Sequence, residues 1–155
     1  MSVQPRLIQT DGYAVLSGVQ MVVKAGLESG IDTLVGAHLD GPAPYADLLA
    51  DHSPLLTDKG VRTLVLPDSC QGIAALQSAW LGGRRAVGVF DAEGVVDAAA
   101  VLLADTSAAS FETGSVVLAF GACETSVGQA AVALLRRSGW VVIEPSLQDE
   151  VKSFV

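Results

Sequence analysis

Residues 67–94 read PDSCQGIAALQSAWLGGRRAVGVFDAEG, and the fold turns on how they are read. Asp68 or Ser69 can cap a helix, and the residues that follow favour one, so the spacing predicts a helix over 69–82. Gly82 and Gly83 stop it. Residues 86–90, AVGVF, then form a short run with no polar face. A strand apolar on both faces belongs to a parallel sheet covered by helices on both sides. Asp91 to Gly94 reads as the loop that leaves that strand.

The same alternation extends outward. Upstream, 13–29 carries Val15, Val19, Val22, Val23 and Leu27 at helical spacing, with Asp11 as a cap and Gly30 as a stop. Strands are expected at 32–37 and 62–66, with a short helix at 44–51 between them. Downstream come a helix at 95–104, a strand at 115–120, a helix at 125–138 stopped by Gly139, and a fifth strand at 140–143. Ser146 and Asp149 make a capping-box-like start to a last helix over 146–155. Strand followed by helix throughout predicts one α/β domain over 1–155. Its architecture is a doubly wound three-layer sandwich, with a mostly parallel sheet of at least five strands.

Composition agrees. Half of the 155 residues are hydrophobic and 17% are charged, which suits a compact core rather than a disordered chain. The formal net charge of −8, with no basic cluster beyond Arg84-Arg85 or Arg136-Arg137, gives no footprint for nucleic acid. No apolar run approaches the ~18–20 residues of a membrane span, and the expected location is the cytoplasm. Cys70 and Cys123, far apart in sequence, read as two buried thiols rather than metal ligands.

In a doubly wound sheet, ligands sit at the carboxyl ends of the strands. There the sequence places GAHLDGPAP (36–44), PDS (67–69), DAEG (91–94), GACETS (121–126) and EPS (144–146). A histidine at a strand end can move protons, which makes His38, with Asp40 nearby, a candidate; His52 reads as a solvated loop residue. Asp91 and Glu93 are close enough to hold Mg²⁺ or to act as acid and base, but with no third acid nearby a solvated turn is the simpler reading. Asp68 is most simply a helix cap. GACETSVG lacks the Lys-Ser/Thr pair of a P-loop and the spacing of a dinucleotide fingerprint. No G-x-S-x-G elbow occurs.

Three segments in order resemble the pyrimidine-binding domain of thiamine-diphosphate enzymes, most closely the alpha chain of indolepyruvate and related 2-oxoacid:ferredoxin oxidoreductases. They are SGVQMVVKAGLESGIDTLVGAHLDGPAPYADLL (17–49), GIAALQSAWLGGRRAVGVFDAEGVVDAAAVLL (72–103) and VVIEPSLQDEVKSFV (141–155). The resemblance implies that thiamine diphosphate lies between two domains. This one contributes a Glu to the aminopyrimidine ring; a second holds the diphosphate and Mg²⁺ with a Gly-Asp-Gly motif. No Gly-Asp-Gly occurs here, so activity would need a diphosphate-binding partner chain, and the isolated chain is expected to bind no cofactor.

The resemblance also marks departures. The family's Glu falls on Ser69, or on Asp68 with an offset of one, and neither is Glu. Its Lys-His-Val-Gly segment falls on Asp91, Ala92, Glu93 and Gly94, exchanging basic groups for acidic ones. Its Gly-Tyr-Pro-Gly-Thr-Pro loop becomes GAHLDGP, which keeps Gly36, Gly41 and Pro42. On this reading Asp68 or His38 would replace the Glu, while Gly36, Asp40, Gly41, Ser69, Asp91 and Glu93 would line the cofactor. Two rival readings stay open: a non-catalytic homologue used for association or regulation, and a small metabolite-binding α/β domain. Self-association is expected through the helix 69–82, where Trp80 and Leu81 sit beside small residues.

Overall fold

The structure, a computed structural model, describes residues 16–37, 44–104, 114–121 and 124–144. Ser17 opens α1 (Gly18–Glu28). Its Oγ accepts the Gln20 N–H, and the Gln20 side chain accepts the Ser17 N–H. This reciprocal pair is a capping box and sets the start of the helix. The helix therefore begins later than expected; Asp11 lies outside the described residues. Gly30, at φ 74°, takes the left-handed conformation that ends α1, as Gly139 does at φ 82° after the last helix.

The elements that follow are β1 (Thr33–Ala37), α2 (Pro44–Asp58), β2 (Arg62–Leu66), α3 (Ser69–Leu81) and β3 (Arg85–Phe90). After them come α4 (Ala92–Asp97), α5 (Ala99–Leu102), β4 (Ser115–Phe120) and α6 (Ser126–Arg137). The strands form one all-parallel sheet in the order β2-β1-β3-β4. Asp32 fastens its amino edge. Its N–H donates to the Arg85 carbonyl, its own carbonyl accepts the Arg62 N–H, and its carboxylate accepts from Thr33 Oγ1 at 2.6 Å.

Side chains alternate across each strand and build two cores. Val35, Ala37, Ala86 and Phe90, with Leu64, Val116, Leu118 and Phe120, face one cluster, closed by Ile73 and Leu76 of α3, Val95 of α4, Leu102 of α5 and Leu135 of α6. Leu34 and Val87, with Val65, Val89 and Val117, face the other, closed by Val23 of α1 and by Tyr45, Leu48, Leu49 and Leu56 of α2. Helices thus cover both faces of a parallel sheet, the doubly wound arrangement expected.

Other expectations on the elements also need correcting, and the helix expected at 95–104 is α4 and α5, broken at Ala98. Residues 44–51 belong to a longer helix that continues through Pro54. Pro54 removes one helical hydrogen bond, but Tyr45, Leu48, Leu49 and Leu56 keep one buried face across it. Residues 140–143 join no ladder, and among the described residues the sheet has four strands, not five. There Trp140 and Val142 lean on the first core, while Val141 is 87% exposed. The helix expected at 146–155 lies outside the described residues. Among the described residues no helix is long and apolar enough to cross a membrane.

Among the described residues the buried Tyr45 hydroxyl has no hydrogen-bond partner. Burial pushes the phenol's pKa upward, so it stays neutral. An unpaired buried polar group costs ~1–3 kcal/mol. Tyr45→Phe keeps the ring and removes that cost. It is expected to leave stability unchanged or to raise it by up to about 1–2 kcal/mol in denaturant melts. A clear loss of stability would mean that the hydroxyl has a partner in solution.

Candidate functional site

The chain leaves β1 toward β2 on one side and passes from β3 to β4 on the other, so the strand order reverses between β1 and β3. Crevices at the carboxyl ends of such strands are where open α/β sheets bind ligands. Gly36 stands near the end of β1, opposite Val65 of β2 and Val89 of β3. It is buried, and the Tyr45 ring lies against it: a Cβ there would sit 2.6 Å from Tyr45 Cε1. The glycine's role visible in the structure is to admit this ring. His38, Asp40 and Gly41 lie outside the described residues.

After β2 and after β3 the chain turns directly from strand into helix. Asp68 caps α3: its Oδ1 accepts the Gln71 N–H at 2.8 Å and its Oδ2 accepts from Gln71 Nε2 at 2.8 Å. Asp91 caps α4, with Oδ1 accepting the Gly94 N–H at 2.6 Å. Thr125 caps α6 through the Gly128 N–H at 3.0 Å. All three caps use a side-chain oxygen to pair an amide that would otherwise lack an intrahelical partner. A helix start capped by its own carboxylate is a poor place for an anion. The solvated turn expected at Asp91 and Glu93 is therefore the first turn of a helix, with Asp91 half-buried as its cap and Glu93 exposed.

Ser69 is only 7% exposed. It packs against Gly94, where an added Cβ would collide with Ser69 Oγ and lie 2.7 Å from Asp91 Oδ1. The structure thus joins Ser69, Asp91 and Gly94 into one tight contact between the starts of α3 and α4. Sequence reasoning named Ser69 and Asp91 but missed Gly94 as the residue that lets them meet. Its signal was the Asp-x-x-Gly spacing, which places a glycine on the capped amide.

The remaining candidates separate from this cluster. His52 sits in α2 rather than in a loop; it is half-buried, and its Nδ1 lies 2.9 Å from the Leu48 carbonyl oxygen. Cys70 is a free, half-buried thiol whose Sγ lies 3.5 Å from the Asp97 carbonyl oxygen; Cys123 lies outside the described residues. Among the described residues no group of three or more His, Cys, Asp or Glu side chains is arranged to hold a metal ion. Helix α3, expected as an association surface, buries Gly72, Ile73 and Leu76 within its own domain and leaves Leu81 exposed at its end.

At the position that the resemblance assigns to Glu, Ser69 is buried against α4 and carries no carboxyl, while the exposed Asp68 accepts from the Gln71 amide and side chain.

The cap at Asp91 is directly testable. Asp91→Ala removes the acceptor for the Gly94 N–H and should destabilise the fold by about 1 kcal/mol, while Asp91→Asn or Asp91→Ser retains most of the effect. Denaturant midpoints measure it, and a neutral Asp91→Ala would show that the cap contributes nothing. No protein-family model, no curated protein and no solved structure matches the chain.

Proposed function

We propose that the chain is a pyrimidine-binding-like domain of the thiamine-diphosphate 2-oxoacid oxidoreductase and decarboxylase superfamily, a subunit that needs a diphosphate-binding partner for any activity. The observation that carries the reading is the all-parallel order β2-β1-β3-β4, in which Gly36 and Ala37 close β1 on one side of the switch point and Asp91 to Gly94 follow β3 on the other. Both positions lie within the longer stretches, 17–49 and 72–103, through which the sequence resembles that family. A cytoplasmic subunit that also pairs with its own copies belongs to the same reading.

A specific observation favours a second reading, a homologue that keeps the fold for association without chemistry. Asp68, the candidate for the Glu, and Asp91, expected to line the cofactor, are used as helix caps, and Ser69 is used in packing. One experiment separates the two. The chain is co-purified with a Gly-Asp-Gly-bearing diphosphate-binding chain and assayed for thiamine-diphosphate-dependent oxidation of 2-oxoacids. Turnover that falls on Asp68→Asn supports the first reading. Stable association without turnover supports the second. Neither association nor turnover overturns both and leaves a metabolite-binding domain.

A further inference from the structure

We draw no further inference here: the strongest candidate, the unpartnered Tyr45 hydroxyl buried between α2 and the end of β1, is closed to solvent, and nothing in the structure shows what it would meet.

Discussion

Phe90→Ala is expected to destabilise the domain by about 3–5 kcal/mol. Phe90 ends β3, is 5% exposed, and lies in a slot made by two glycines. A Cβ on Gly72 of α3 would sit 2.6 Å from its Cε1, and a Cβ on Gly88 of β3 would sit 2.6 Å from its Cε2. The ring is thus gripped on both edges, with Leu76 beside it. Removing it opens a cavity that neither glycine can fill. Typical domains hold only ~5–15 kcal/mol in total, so the variant should lose a large part of its margin and melt about 6–20 °C lower. Gly88→Ala tests the same slot from the other side, with an expected cost of ~1–3 kcal/mol from overpacking. In a Phe90→Leu background that cost should shrink, because the two positions touch and their effects are coupled. A Phe90→Ala protein with an unchanged denaturation midpoint would show that the slot is not formed.

The consequence reaches the candidate site. Phe90 immediately precedes Asp91, so the ring anchors the strand end from which α4 starts. The cap on Gly94 and the contact with Ser69 both depend on where that strand ends. A destabilised Phe90 variant should therefore also weaken amide-exchange protection at Gly94 and Val95 before the rest of the sheet opens.

How far this was legible in sequence depends on the kind of signal. The four strands were readable because each is a short apolar run bounded by charges or turn residues. RTLVL and SVVLAF are β2 and β4 residue for residue. Asp68 was readable as a cap because it directly precedes a helical pattern, and its bonds to Gln71 agree. The extent of α2 was hidden by Pro54, a residue that usually breaks a helix. The buried face running from Tyr45 to Leu56 outweighed it. At 95–104 the reading missed that Asp91 starts the helix early, which turns two supposed loop acids into a cap and a first-turn residue. Close approaches such as Gly36 to Tyr45, Gly94 to Ser69 and Phe90 between Gly72 and Gly88 join residues from different elements. A glycine in sequence signals that something comes near, but only the packing names the partner.

The isolated chain is expected not to bind thiamine diphosphate with Mg²⁺ at micromolar concentrations. The diphosphate and its metal carry most of the charge by which such a cofactor is held, and no Gly-Asp-Gly motif exists in the chain to receive them. On the reading proposed above, what remains is a ring contact without its Glu. The lost bond, to a group that becomes charged, is worth ~1.5–3 kcal/mol, about one to two decades of affinity. Asp68 is one methylene shorter than Glu and is already bonded to the Gln71 amide and side chain as the cap of α3. Ser69 is further from that role, since a longer side chain at its position would run into Gly94. Asp68, Asp91 and Glu93 add negative charge at the same strand ends, a repulsion that salt reduces but does not reverse in sign. Titration calorimetry on the isolated chain should therefore show no saturable heat, at low or at physiological salt. Micromolar binding would overturn this expectation. If it vanished on Asp68→Asn but survived Asp91→Asn, the α3 cap would be exchanging its Gln71 bonds for the ring, and Asp68 would be the group that stands in for the missing Glu.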